Sequence, residues 1–278
     1  MQIIHGLIEQ ILPFSWSRYE FMRNAFIAVL IITPLFGMLG TMIVNHKMAF
    51  FSDALGHSAL TGIAIGVVLG LSDTNLAMII FGVLFAFVLN IIKRKNTIST
   101  DTIISVFSSC SIAIGLAILS RGGNFSDYSS LLIGDILSIT SEEIAYLAII
   151  FIVTILFWLL SFNQINAMSI SISLAKSKGI PIILIENLFT AFLAIVVMLS
   201  IKWVGILIIN ALLIIPAAAA RNISENMREY HFFSILFSVF SGISGLIISY
   251  YINVASGPTI VIVAAIIFFA TYIYGKER

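Results

Sequence analysis

Long apolar runs without Asp, Glu, Lys or Arg, separated by short polar segments, dominate the chain. A membrane-spanning helix needs about 20 consecutive and mostly apolar residues, so several runs can hold one helix and the last can hold two. This pattern predicts a polytopic membrane protein. The charge-free runs are 24–46, 54–72, 74–92, 102–120, 144–175, 203–220 and 230–275.

The fold class follows from this pattern, because a segment in lipid satisfies its own backbone polar groups only as a helix or in a closed barrel. We predict an all-α protein with about eight or nine transmembrane helices, forming a single transmembrane domain over 1–278. The count depends on 182–201 and 203–220, which meet at Lys202, and on 128–138, which is too short to span and could be re-entrant. The predicted spans are 22–45, 51–71, 74–92, 102–120, 143–162, 182–201, 203–220, 231–252 and 257–274.

The segment 1–20 precedes the first span and is amphipathic. It differs from a signal peptide, whose apolar core lies close to the start of the chain. We expect residues 2–12 to form a short interfacial helix, with Trp16 and Tyr19 at the level of the lipid headgroups.

The positions of the Lys and Arg residues predict the orientation. With nine spans and a cytoplasmic C-terminus, ten of these residues lie on the cytoplasmic side and four lie outside. Cytoplasmic loops generally carry the excess of Lys and Arg, so we expect the C-terminus inside and the N-terminus outside. The four outer residues are Arg18, Arg23, Arg121 and Lys202.

Composition narrows the function classes. The chain is 60% hydrophobic and 10% charged, whereas soluble domains carry about 25% charged residues. Its net charge of +1 gives no reason to expect a nucleic-acid partner. The single cysteine, Cys110, excludes an internal disulfide. The sequence contains no GxxxxGK[ST] phosphate loop, so we do not expect an enzyme, and any ATP-driven motor would belong to a partner subunit.

Asp53 and His57 stand four residues apart in the otherwise apolar stretch MAFFSDALGHSALTGIAIGVVLG, residues 48–70. On a helix they share one face, where a carboxylate oxygen and an imidazole nitrogen can bind the same divalent ion. Charged groups within a span cost at least about 2.5–3.5 kcal/mol each, which favours a functional role. The alternative is that Asp53 caps the helix and His57 packs against a carbonyl.

Other polar residues in apolar surroundings are weaker candidates. Asn210 lies in a span that also contains Pro216 and could line a pathway, although an interhelical hydrogen bond is the simpler role. Asp135, in LLIGDIL, is a further pathway candidate. Glu186 is interpreted as a residue at the cytoplasmic end of its span or as a relay group.

The segment 169–181, SISISLAKSKGIP, separates two spans on the predicted cytoplasmic side. Gly179 is a typical helix C-cap and Pro181 a typical stop signal. We expect a short cytoplasmic helix that ends at Gly179 and could dock a partner; a simple connecting loop is the alternative.

These residues resemble the integral-membrane permeases of ABC transporters that import zinc, manganese or iron, the metal ABC-3-type family. The stretch MAFFSDALGHSALTGIAIG is similar to the family's signature helix, and LLIGDILSIT to its G-x-IL segment. VGILIINALLIIPAAAAR and SGPTIVIVAA look like two of its late spans, in the same order. The resemblance extends from about residue 20 to 274.

The resemblance implies a type II-like ABC importer permease in the cytoplasmic (inner) membrane. The implied partners are membrane lipid, a second copy of the chain, a cytoplasmic ATPase and an extracytoplasmic metal-binding protein. Asp53 and His57 of both copies would form the metal site. No permanently bound cofactor is implied, and the transported ion would be Zn²⁺ or Mn²⁺, with zinc favoured.

The resemblance also identifies 169–181 as the helix that couples the permease to its ATPase. The family often has an acidic residue shortly before the Ala of this helix, where this chain has serines and a leucine. The residues implied in ATPase coupling are Leu174, Ala175, Lys176, Gly179, Ile180 and Pro181.

Two other functions remain open from the residues alone. A stand-alone, ion-coupled secondary transporter could use Asp53 and His57 as a proton or metal relay. An intramembrane metalloenzyme is weakened by the absence of an HExxH motif and of another histidine well inside a predicted span.

Overall fold

The structure, a computed structural model, describes residues 14–71, 74–95, 99–121 and 134–276. In this part of the chain every regular element is helical. The helices are α1 (Glu20–Asn45), α2 (Ala49–Val68), α3 (Thr74–Lys95), α4 (Thr100–Arg121), α5 (Ser141–Ile170), α6 (Ile172–Ser177), α7 (Ile182–Val204), α8 (Ile206–Ile223), α9 (Met227–Ile252) and α10 (Ser256–Lys276).

The long helices match the predicted spans one for one. Eight of them are long and apolar enough to cross a membrane, and the shorter α8 is an 18-residue apolar helix. At 1.5 Å per residue, α8 is about 27 Å long, close to the roughly 30 Å thickness of a hydrocarbon core. All nine predicted spans within the described residues are therefore helices.

The junction between two of these helices differs from the prediction. Lys202 and Trp203 continue α7, and the break falls at Gly205, which has a φ of 83°. This left-handed conformation is accessible to glycine at little cost. The helix therefore ends where the backbone can turn, and the charged residue does not interrupt it.

The segment before α1 and the stretch before α5 are described only in part. The predicted interfacial helix at 2–12 and most of 128–138 lie outside the described residues. Trp16, expected at the headgroups, is 1% exposed and its ring centroid lies 5.2 Å from that of Phe26. It is therefore a core residue, whereas Tyr19 remains half exposed.

Packing divides the chain into two compact units, and the single domain over 1–278 remains a prediction. The first unit consists of the described parts of Met1–Val44, Gly134–Phe157 and Ala211–Arg278, and the second of those of Asn45–Ile133 and Trp158–Asn210.

In the first unit, serines of α9 bind backbone oxygens of α1. Ser234 Oγ donates to the Gly37 oxygen and Ser238 Oγ to the Thr33 oxygen, each at 2.7 Å. A Cβ on Gly37 would come within 2.9 Å of the Ile235 Cα. The small residue therefore allows the close approach that makes these hydrogen bonds possible.

In the second unit, small residues pack α2 closely against α3 and α4. A Cβ on Gly62 would lie 2.7 Å from the Met78 Cα, and one on Gly115 would lie 2.8 Å from the Thr61 nitrogen. The hydroxyls of Thr61 and Ser111 are 2.9 Å apart. These glycines thus serve packing within the chain and hold α2 in a fixed orientation against its two neighbours.

Candidate functional site

Asp53 and His57 lie on one face of α2, as their spacing predicts. Asp53 Oδ2 and His57 Nε2 are 3.5 Å apart. They lie about 6 and 12 Å from the start of a helix about 30 Å long. The Asp53 side chain is 46% exposed and that of His57 is 27% exposed, so the pair lines an open surface of the single chain.

The separation of these two atoms suits a shared metal ion. A tetrahedral zinc ion with bonds of about 2.1 Å holds two ligand atoms about 3.4 Å apart. Within the described residues, no group of three or more His, Cys, Asp or Glu side chains could hold a metal ion. One chain therefore presents two ligands of this type, which is half of a tetrahedral set.

Asn210 of α8 is brought into the same site. Its Nδ2 donates a hydrogen bond of 2.7 Å to Asp53 Oδ1. The contact depends on Gly56, where a Cβ would lie 2.6 Å from Ile206 Cγ2 and 3.6 Å from Asn210 Nδ2. Sequence reasoning named Asn210 as a pathway candidate but did not connect it with Asp53.

Two atoms of this site have no hydrogen-bond partner among the described residues. They are His57 Nδ1 and Asn210 Oδ1, and both are buried. A metal-binding histidine almost always donates its other ring N–H to an acceptor. The site is therefore unsaturated in the single chain, both in metal ligands and in hydrogen bonds.

Asp135 has a local structural role. Its carboxylate accepts a hydrogen bond of 3.2 Å from the Leu137 nitrogen and caps the 3₁₀ turn Ile136–Ser138. Asp135 is exposed and belongs to the first unit, whereas Asp53 belongs to the second. Its role in a pathway remains a prediction.

The short helix predicted within 169–181 is present as α6 and has defined ends. The Ser171 side chain accepts a hydrogen bond from the Leu174 nitrogen at the start. At the other end Gly179 has a φ of 71°, and its nitrogen donates to the Lys176 oxygen. The Ile180 nitrogen donates to the Ala175 oxygen, which completes a Schellman motif.

The surface of α6 is largely exposed. Leu174 is 40% exposed and Lys176 is exposed, whereas Ala175 is completely buried. Residues 169 and 170, which the prediction assigned to this segment, belong to α5. Pro181 immediately precedes α7, so the helix is followed at once by the next span.

A cavity of about 310 Å³ lies at the end of the second unit where α2 begins. It is lined by polar residues that include His46, Lys93 and Glu186 and by apolar ones such as Phe189. Glu186 binds the side chains of Lys93 at 3.3 Å and Arg94 at 2.9 Å. This ion-pair cluster agrees with the interpretation of Glu186 as a residue at the end of its span.

The sequence is similar to those of known transport proteins over most of its length. The sequence model of the ABC 3 transport family matches residues 18–275. The zinc uptake membrane protein ZnuB of Haemophilus influenzae is 29% identical over 94% of this chain and 99% of its own length. The manganese transport membrane protein MntC of Listeria monocytogenes is 27% identical over 94% of this chain and 93% of its own.

The fold is also found in a solved structure. PsaBC from Streptococcus pneumoniae in complex with Fab superposes with a TM-score of 0.81 and 29% identity. The superposition covers 98% of this chain and 95% of the matched one. The fold therefore agrees with that of the matched chain over almost its whole length.

Proposed function

The chain belongs to the ABC 3 transport family, and on that premise we propose that it imports a divalent transition metal as the permease of an ATP-driven transporter. It is a multi-pass membrane protein, and its relatives ZnuB and MntC are the membrane proteins of a zinc uptake system and a manganese transport system. Zinc is the favoured cargo and manganese the next. The observation that carries the proposal is the Asp53–His57 pair, which is partly exposed on a membrane-spanning helix.

The open pair supports a site completed by a second copy of the chain. An ionisable group within a span faces the interior of a bundle or a water-filled cavity, because exposure to lipid is costly. Two copies would supply two carboxylates and two imidazoles. This doubles the two ligands of one chain to the four that zinc prefers.

Release of the cargo is as necessary as binding. His57 must be neutral to bind a metal ion, and a site with few ligands holds the ion weakly. We interpret Asp53 and His57 as a transient site, reached from a binding protein on the outer side. ATP binding and hydrolysis in a partner subunit would then reorient the helices, in an alternating-access cycle.

The exposed helix α6 supports a contact with that ATPase. Ile172 and Leu174 expose large apolar side chains, at 58% and 40%, next to the exposed Lys176. The buried Ala175 anchors the helix to the rest of the unit. The proposed contact comprises Leu174, Ala175, Lys176, Gly179, Ile180 and Pro181.

The main competing function is a secondary transporter that uses Asp53 and His57 as a proton relay and needs no ATPase. Membership of an ABC family argues against it. The two functions differ in their energy source, since uptake by the ABC transporter requires ATP and persists when the proton gradient is collapsed.

Uptake of radioactive zinc and manganese tests the proposal. Cells would carry the chain with its ATPase and binding protein, and wild type would be compared with Asp53→Ala and His57→Ala. We expect both variants to lose uptake of the same metal while the complex still assembles. Glu225→Gln, which changes an exposed acid outside the spans, is the control and should retain uptake. Unchanged uptake in the two site variants would contradict the proposal.

A further inference from the structure

The two oxygens of Asp53 have different surroundings. Oδ1 accepts the 2.7 Å hydrogen bond from Asn210 Nδ2, whereas Oδ2 faces His57 Nε2 at 3.5 Å. The amide therefore engages the oxygen directed away from the histidine. It leaves the other oxygen available on the side where an ion would bind.

Stability does not account for this amide. An interhelical hydrogen bond in a membrane adds little to stability on average. Asn210 Oδ1 is buried and has no partner among the described residues, and a buried acceptor left without a partner costs at least as much as one such bond contributes. Asn210 is therefore at best neutral for folding, although its N–H bond to Asp53 is short and well formed.

The packing around Asn210 also indicates that its amide serves Asp53. Ile206 and Asn210 lie one helical turn apart at the start of α8, and both approach Gly56 of α2. Among the described contacts, the amide of Asn210 binds Asp53 alone. The glycine and the asparagine together place one N–H donor on one carboxylate oxygen.

The number of carboxylate oxygens that bind the ion affects the choice of metal. A carboxylate that binds through one oxygen occupies one coordination position, and one that binds through both occupies two. Two copies of Asp53 and His57 then give four positions in the first case and six in the second. Four-coordinate N/O sites suit zinc, whereas additional oxygen ligands suit manganese.

We propose that Asn210 is a positioning residue that restricts Asp53 to one oxygen and so favours zinc over manganese. The inference rests on the proposed function of Asp53 and His57 as the metal ligands. Loss of the amide donor frees Oδ1, and the carboxylate can then bind the ion with both oxygens.

Competition between the two metals tests this inference in the assembled transporter. We expect Asn210→Leu to lower the ratio of zinc to manganese uptake by about tenfold, the effect typical of lost partners of metal ligands. Asn210→Gln keeps an amide N–H and should restore part of the ratio. Asn90→Leu is the matched control, because Asn90 is also buried in a span but donates to Asn187 and Thr190.

The visible spectrum of bound Co²⁺ gives a second measurement, on the chain purified with its ATPase. Four-coordinate Co²⁺ absorbs strongly and six-coordinate Co²⁺ weakly. We expect strong bands in wild type and Asn90→Leu, and weak bands in Asn210→Leu. If Asn210→Leu does not assemble, Asn210→Ser removes the amide donor with a smaller side chain and should give the same change.

The outcomes separate this inference from the proposed function. An unchanged metal ratio and an unchanged Co²⁺ spectrum in an assembled Asn210→Leu transporter would overturn the inference, and Asn210 would then serve packing alone. If Asp53→Ala and His57→Ala also retain uptake, the proposed metal site itself is wrong. A changed ratio in Asn210→Leu, together with loss of uptake in those two variants, supports both.

Discussion

His46 lies in the turn between α1 and α2. In the structure its Nε2 donates to the Ile165 oxygen at 3.1 Å, and its ring centroid lies 6.1 Å from that of Phe189. Burial lowers the pKa of His46 below the usual 6.5; the hydrogen bond to Ile165 opposes this shift and the charge of Lys93 reinforces it. The imidazole is therefore held neutral at the edge of the cavity.

This lowered pKa makes stability depend on pH. The unfolded chain protonates His46 near pH 6.5, and the folded chain does so only at lower pH. In the window below pH 6.5 the unfolded state binds more protons, so the free energy of unfolding falls as the pH falls. We expect the Tm of wild type to decrease more steeply between pH 7.5 and 5.5 than that of His46→Gln, which keeps a donor for Ile165. Equal slopes of Tm against pH in the two proteins would mean that the folded and unfolded states protonate His46 at the same pH.

The residues of the site differ in how far sequence could predict them. Asp53 and His57 were found because their relation is local, four positions on one helix. Asn210 lies 157 positions from Asp53, and only the approach of α8 to Gly56 brings them together. The available signal was an amide inside an apolar span, which predicts a polar contact but not its partner. The Lys93 and Arg94 partners of Glu186 were missed for the same reason.

At the scale of single elements, α6 shows how a six-residue helix is stabilised at its end. The Schellman motif needs a residue with positive φ after the last turn, and Gly179 supplies it at 71°. A side chain in this conformation costs about 1–2 kcal/mol. The loss would fall on an element with little helical stability of its own.

Gly179→Ala should therefore weaken coupling without disturbing the metal site. We expect a lower rate of metal-stimulated ATP hydrolysis in the assembled complex and an unchanged Co²⁺ spectrum. Gly70→Ala is the matched control, because Gly70 has a φ of 68° and, like Gly179, has no atom within 4 Å of an added Cβ. If both variants reduce ATP hydrolysis equally, the effect comes from backbone strain in general and α6 has no special role.

The long helices were predictable because hydropathy and length are local properties. The ends of these helices were harder to predict, as α7 illustrates. The charge of Lys202 marked a boundary in the sequence pattern, but a lysine near the end of a span can extend its charged group toward the interface. The helix continues to Val204 and ends at Gly205. The backbone conformation of this glycine, and not the charge of Lys202, therefore sets the end of the helix.

At the scale of the whole chain, the predicted orientation requires that, within each packed unit, the segments assigned to the cytoplasm lie together at one end. The cavity of the second unit is lined by Asn45 and Met48, by Lys93, and by residues that flank α6. All of these belong to segments that the Lys and Arg distribution assigns to the cytoplasmic side. Consecutive spans must alternate in direction for these segments to meet at one end, as they do here.

Labelling of single cysteines tests this orientation. In a Cys110→Ser background, Lys178→Cys follows α6, and Val254→Cys lies in the exposed turn between α9 and α10. Nine spans with a cytoplasmic C-terminus place residue 178 inside and residue 254 outside. A membrane-impermeant maleimide added to intact cells should label Val254→Cys alone, and permeabilised cells should label both. If Lys178→Cys reacts in intact cells, α6 faces the outside and cannot contact a cytoplasmic ATPase, which would contradict the coupling proposed for it.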